Sequence, residues 1–193
     1  MAGSAPRVAG AVLAAGSGAR MGGPKADLVL GGVRLLDRAV SLLGAAGCDP
    51  VLAVVRPGVT AEDARLVVNE QPDRGMRSSL DLAVAAAAAD GADALAVLLV
   101  DTPGVTADGV RAVVAAWRPG RIAIARYPGR PGHPIAMALP RWREALALAG
   151  ADEGARALLA AHAELVDEIP VPGAPEDLDT PADLAAWRGR GLS

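Results

Sequence analysis

The chain has 193 residues, 52% of them apolar and 21% charged, with a formal net charge of −3. That length suits one domain with a real core, the composition is too apolar for intrinsic disorder, and the charge lacks the basic balance of a general nucleic-acid binder. Three Trp, one Tyr and no Phe leave no stacking platform for single strands, and the lone Cys48 excludes an internal disulfide framework or a multi-cysteine metal site.

Short apolar runs alternate with longer Ala/Leu-rich stretches. Val8–Ala14 reads as a buried strand. Leu35–Ala46 reads as a helix closed by Gly47, and Val51–Arg56 as a strand ended by Pro57-Gly58. Thr60 with Asp63 is expected to cap a short helix. Leu66–Asn69 follows as a strand and Met76–Ala89 as a helix. Ala94–Val100 is apolar throughout, as a central strand covered on both faces must be. Next come a helix at Ala107–Trp117, a strand at Arg121–Ala125, and a strand at Pro134–Leu139 after a glycine-rich loop. Helices at Trp142–Leu148 and Ala155–Ala161, a strand at Leu165–Pro170 and a helix at Pro181–Arg188 complete the chain. Strands separated by helices predict a three-layer α/β/α, Rossmann-like fold with a mostly parallel sheet. The expected extent is one domain over residues 1–193, with its core at about 8–188.

Every long apolar stretch is interrupted before the roughly 18 residues a membrane helix needs. Val8–Ala15 is too short and too quickly followed by a glycine loop for a signal peptide. The expected location is the cytoplasm, with neither membrane nor nucleic acid as partner.

The most informative segment is Leu13–Lys25, LAAGSGARMGGPK. It leaves a predicted strand at the edge where open parallel sheets bind ligands. Gly16, Gly18, Gly22 and Gly23 let backbone amides turn toward an anion. Arg20 and Lys25 add fixed positive charge, and a polyphosphate is the ligand that needs both. A Walker A loop is excluded because Pro24 separates Gly23 from Lys25 and Ala26 follows. A dinucleotide fingerprint is excluded because the sixth position from Gly16 is Met21. The plainer alternative is a mobile surface loop with incidental charges.

Two acids stand out. Asp101 directly follows the most apolar strand, and Asp179 lies in DLDTPADL, residues 177–184. Helix capping accounts for Thr180, Pro181 and Asp183 and leaves Asp179 unexplained. Asp101-Thr102-Pro103 also reads as a turn. Together with the loop, the pair fits a divalent ion that takes one or two carboxylates plus phosphate and water, so Mg²⁺ is the expected cofactor.

LAAGSGARMGGPK is similar to the signature of the MobA-like NTP transferases, which runs Leu-Ala-Ala/Gly-Gly, spacer, Arg-Met-Gly, spacer, Pro-Lys or Lys. The resemblance covers about Val8 to Trp187. It implies that Leu13, Ala14, Ala15, Gly16 and Gly18 wrap a nucleoside triphosphate while Arg20 and Lys25 neutralise its phosphates. It also implies that Asp101 and Asp179 hold Mg²⁺, although Val100 stands where the family text has Gly. Ala15, in place of the Gly usual in guanylyltransferases, narrows the space under the base and favours CTP.

Asn69–Leu80, NEQPDRGMRSSL, resembles a segment of the molybdenum cofactor cytidylyltransferases and implies nucleotide contact by Ser78 and Ser79; capping alone would explain one serine. His133 in GRPGHPIAM reads as a general base, a phosphate donor or a satisfied loop histidine. The same branch carries the Arg-x-Gly-His-Pro text on its pterin side, and its Gly-Asp-x-Gly-Ala-Arg text resembles Ala151–Leu159. Arg156 is therefore an acceptor candidate, with a solvated helix arginine as the alternative. The implied reaction joins CTP to a phosphorylated pterin-type acceptor, molybdenum cofactor, with a molybdoenzyme or its chaperone as a further partner. A nicotine blue oxidoreductase branch shares the LVDTPGV and GRPGHP text, and its nicotinamide-dependent reduction is the rival activity. A sugar- or alcohol-phosphate acceptor is another.

Overall fold

The structure, a computed structural model, describes residues 5–148, 150 and 154–190. Its strands are β1 (Val8–Leu13), β2 (Val29–Leu30), β3 (Val33–Arg34), β4 (Val51–Val55), β5 (Arg65–Val68), β6 (Ala94–Leu99), β7 (Ile122–Tyr127), β8 (Arg130–Ala138) and β9 (Val166–Pro170). Its helices are α1 (Leu35–Ala45), α2 (Met76–Ala89), α3 (Ala107–Ala116), α4 (Leu139–Leu148), α5 (Arg156–Ala161) and α6 (Pro181–Gly189). No helix among the described residues is long and apolar enough to cross a membrane.

Seven strands form one sheet in the order β5-β4-β1-β6-β8-β7-β9. β5, β4, β1 and β6 run parallel, β8 is antiparallel to both β6 and β7, and β9 is parallel to β7. Strand periodicity sends alternate side chains to opposite faces. Ala94, Ala96 and Leu98 of β6 join Leu36 and Leu43 of α1 and Val110 and Val113 of α3 on one face. Leu95 and Val97 join Leu80 and Val84 of α2 and Trp142 and Leu146 of α4 on the other. Helices cover both faces of a mostly parallel sheet, which is the expected three-layer fold.

Two local expectations are corrected. No helix follows Thr60; the chain bends through residues 62–64 directly into β5. With only four residues between Thr60 and β5, there is too little chain to nucleate a helix. The supposed glycine-rich loop before Pro134 is the first half of β8. Arg130, Pro131 and Gly132 pair with Tyr127, Arg126 and Ala125 across a hairpin, and the register shifts between Ile124 and Ala125. Such a shift accommodates a proline that cannot donate to the ladder. The small β2–β3 hairpin carried too few residues to be seen as strands in the sequence.

Leu13 and Leu99 end β1 and β6 in register, side by side. The loops that follow them leave the same edge of the sheet, so residues far apart in sequence meet there.

Candidate active site

Ala14 still belongs to the sheet: its amide donates to the Val54 carbonyl at 2.8 Å and its methyl is buried. Beyond it the chain turns sharply at Gly18, whose φ is 59°. The Gly18 carbonyl accepts from the Met21 amide at 2.7 Å and the Gly23 amide at 3.3 Å, which closes the loop on itself. A Cβ at Gly18 would lie 1.9 Å from the Gly23 carbonyl oxygen. Gly18→Ala should therefore cost about 1–3 kcal/mol of stability and weaken nucleotide binding; urea unfolding and a fluorescent-nucleotide titration read the two effects. At Gly16, by contrast, a Cβ would meet nothing of the protein within 4 Å. It would project into open space where a ligand can approach the backbone.

The loop returns at Lys25, anchored by the fully buried Ala26 beside it. The Lys25 ammonium donates to Asp101 Oδ2 at 2.8 Å and to Asp179 Oδ1 at 2.5 Å. Burial pulls the Lys25 pKa down, but the hydrogen bonds and charges of Asp101 and Asp179 outweigh it and the net shift is upward. The ammonium thus stays charged.

Asp179 reaches this point because residues 171–180 are strapped across the loop after β6. The Ala174 amide donates to the Gly104 carbonyl at 3.0 Å and the Leu178 amide to the Asp101 carbonyl at 2.8 Å, while Val105 and Gly173 form an antiparallel bridge. The approach requires Gly104, where a Cβ would sit 2.6 Å from both the Ala174 carbonyl oxygen and the Trp187 ring. Thr180 and Asp183 then form a reciprocal capping box on α6. Asp183 Oδ2 also accepts from the Asp179 amide at 3.1 Å. The helix start is satisfied without the Asp179 carboxylate, which is left to face Lys25.

Two cavities adjoin at this edge of the sheet, and Lys25 and Asp101 line the first of them. One of about 290 Å³ is lined by Leu13, Ala15, Gly16, Gly18, Lys25, Ser79 and Asp101, among others. The other, of about 500 Å³, is lined by Thr102, Arg130, His133, Arg156 and Asp177 over an apolar floor that includes Ile124 and Ile135. Met76 and Leu99 line both and form the wall between them.

Most of the site residues expected from sequence are gathered by these two cavities, or in the case of Asp179 by its bond to Lys25 alone, with three departures. Ala14 faces the core. Ser78 lines a separate groove of about 660 Å³ along β5 and α2; its hydroxyl donates to the Gly75 carbonyl at 2.8 Å, as a serine in a first helical turn readily does. Arg20 is exposed and lies outside the linings of all three cavities. The start of the segment compared for Arg156, Ala151–Glu153, lies outside the described residues.

Several residues escaped the sequence reading. Asn69 is almost fully buried and donates from Nδ2 to both Ser78 Oγ at 2.9 Å and Ser79 Oγ at 3.0 Å, fixing the serine pair. Arg56, just past β4, donates to the Ala15 carbonyl at 3.4 Å and steadies the loop's exit from the sheet. Asp177 lies in the second cavity with its pKa raised, first by burial and then by the negative charges of Asp101 and Asp179. Burial pushes the His133 imidazole down to about 4 against the opposing pull of Asp101, so the ring is neutral near pH 7. Its carbonyl accepts from the Tyr127 hydroxyl at 2.7 Å, which ties the β8 strand in place.

No group of three or more His, Cys, Asp or Glu side chains forms a metal cage among the described residues. The donor set is two carboxylates already bridged by a cation. That fits a hard divalent ion completing its shell with phosphate and water, and it does not fit zinc, which favours nitrogen and sulfur.

The MobA-like NTP transferase domain matches residues 10–166. The chain is 34% identical over 192 residues to nicotine blue oxidoreductase of Paenarthrobacter nicotinovorans, covering 91% of this chain and 93% of that protein. It is 33% identical over 201 residues to molybdenum cofactor guanylyltransferase of Rhodobacter capsulatus, covering 95% and 96%. Among solved structures, Rv0371c from Mycobacterium tuberculosis H37Rv superposes with a TM-score of 0.83 at 26% identity, covering 96% of this chain and all of that one; a manganese complex of Rv0371c gives 0.78, with 95% and 98% covered. By its matched domain, its glycine loop and its sheet order, the chain belongs to the MobA-like NTP transferase family and carries the family's nucleotidyltransferase fold.

Proposed function

We propose that this protein transfers CMP from CTP to a phosphorylated pterin-type acceptor, molybdenum cofactor, and releases pyrophosphate. The observation that carries the reading is the wall shared by the two cavities, with Lys25 and Asp101 lining the first cavity and Asp179 bonded to Lys25. A donor and an acceptor bound in adjoining pockets meet at the acidic edge of the sheet. An oxygen of the acceptor phosphate attacks the α-phosphorus of CTP, the bond to the β-phosphate breaks, and pyrophosphate leaves on the side of the glycine loop.

Each side chain has a task in this reading. Leu13, Ala15, Gly16, Gly18 and Ser79 position the nucleotide. Lys25 and, from the same glycine loop, Arg20 neutralise charge that develops on the leaving pyrophosphate; such fixed charge commonly supplies the largest share of rate enhancement. Asp101 and Asp179 hold Mg²⁺, and the manganese bound by Rv0371c supports a divalent ion on this fold. The metal, when bound, lowers the cost of charge on the phosphate oxygens. Arg156 and Arg130 meet the acceptor phosphate. His133 is neutral and offers one donor and one acceptor for orientation.

The acceptor class is supported by the Rhodobacter capsulatus relative. That relative's name also points to a guanylyl donor, whereas Ala15 points to cytidylyl. Ala15 is nearly fully buried and lines the donor cavity, so its methyl limits the space for a purine. One methylene of pocket discriminates by about 1–3 kcal/mol. Ala15→Gly should accordingly raise GTP use relative to CTP about tenfold. Pyrophosphate release measured with each NTP, with and without Mg²⁺ and molybdenum cofactor, tests the whole reading. CTP-dependent release requiring both additions supports it, and release with GTP alone reassigns the donor. The Paenarthrobacter relative favours a second reading, nicotinamide-dependent reduction. Metal-independent loss of NADPH absorbance with nicotine blue, and no pyrophosphate from any NTP, would replace the transfer reaction with it.

A further inference from the structure

Lys25 is the only lysine in the chain; every other one of its 19 basic side chains is an arginine. That single ammonium lies between the two carboxylates assigned to the metal, within 2.8 Å of Asp101 and 2.5 Å of Asp179. The three side chains are tied to separate parts of the fold: the loop after β1, the end of β6 and the strap before α6. Without a cation between them, two partly shielded carboxylates would repel across the gap. Lysine suits this position better than arginine. Its charge is compact, carries three rotatable donors and rides on a flexible stem, whereas a guanidinium is a broad fixed plane that prefers to clamp one carboxylate at two points.

We propose that Lys25 is the resident cation of the metal site: it holds Asp101 and Asp179 together in the free protein, and a divalent ion enters by exchanging with it, which frees the ammonium for the triphosphate. The proposal rests on the metal assignment made above and adds to it the order of events. Charge balance favours the exchange. Two carboxylates with one ammonium leave a net charge of −1, and a divalent ion in place of the ammonium brings it to zero. The released ammonium is borne on the glycine loop itself, whose lining faces the donor cavity, so a short swing of the lysine stem carries it from acid to phosphate. Metal arrival and phosphate neutralisation become one coupled event, and Asp101 and Asp179 are not left unpaired at any stage.

The exchange predicts that removing the lysine tightens metal binding even though it abolishes turnover. Lys25→Met keeps the length and apolar stem of the side chain and removes the competing charge. Mn²⁺ alone, titrated and counted by the electron paramagnetic resonance of the free ion, should bind this variant about tenfold or more tightly than the native protein. On the native chain, incorporation of ¹⁵N-lysine gives one side-chain ammonium signal. It should be sharp in the free protein and should shift or broaden as Mg²⁺ is added, with the midpoint of metal binding. Equal or weaker Mn²⁺ binding by Lys25→Met, or an ammonium signal unmoved at saturating Mg²⁺, would overturn the exchange while leaving the metal site in place. Absence of Mn²⁺ binding to both proteins would overturn the exchange together with the metal assignment beneath it.

Discussion

Asp101→Asn is expected to lower pyrophosphate release by about 10³-fold while the protein remains folded. The substitution keeps the shape of the side chain and removes one of the two negative charges around Lys25. The carbonyl of residue 101 continues to accept from the Leu178 amide, so the strap that carries Asp179 stays attached. Steady-state rates at saturating nucleotide, together with a far-ultraviolet circular dichroism melt, separate lost chemistry from lost structure. A variant with near-native rates would remove Asp101 from the machinery, and a melt that collapses would show that the residue serves the fold.

Trp142→Ala should produce the largest loss of stability, about 3–5 kcal/mol, which lowers the melting temperature by roughly 10 °C in a chain of this size. Trp142 is 1% exposed and packs α4 onto the sheet within the core layer that includes Leu80, Leu95 and Met137. Its indole nitrogen donates to the Leu95 carbonyl at 2.8 Å, so truncation removes a hydrogen bond as well as a large apolar volume. Trp142→Phe, which restores most of the volume without the donor, should recover more than half of the loss. Equilibrium unfolding in urea measures both. A loss under about 1 kcal/mol for Trp142→Ala would mean that the layer collapses around the gap.

The parts of this molecule that obey short-range rules were legible in its sequence. Met76–Ala89 and Ala107–Ala116 follow helical spacing, and Ala94–Leu99 is apolar on both faces because helices cover both. Thr180, Pro181 and Asp183 start α6 by local capping rules, whereas the bond of Asp179 to Lys25 joins residues far apart in sequence. The misread pieces depend on distant partners. Arg130–Gly132 looks like loop text, and only pairing with β7 makes it strand. Ser78 and Ser79 are adjacent in sequence, but the helical turn sends them to different cavities. Asp177 and Asn69 carry no local signal: one matters because the strap crosses the sheet edge, the other because β5 ends beside the start of α2.

The cluster of Lys25, Asp101 and Asp179 bears the whole functional reading. It is tested most directly by crystals grown with Mn²⁺ and a non-hydrolysable CTP analogue and measured at the manganese absorption edge. An anomalous peak bonded to both Asp101 and Asp179, with the triphosphate on the loop of residues 16–25 and the Lys25 ammonium turned onto it, is the expected result. Manganese bound elsewhere, or a triphosphate lying away from that loop, would contradict it.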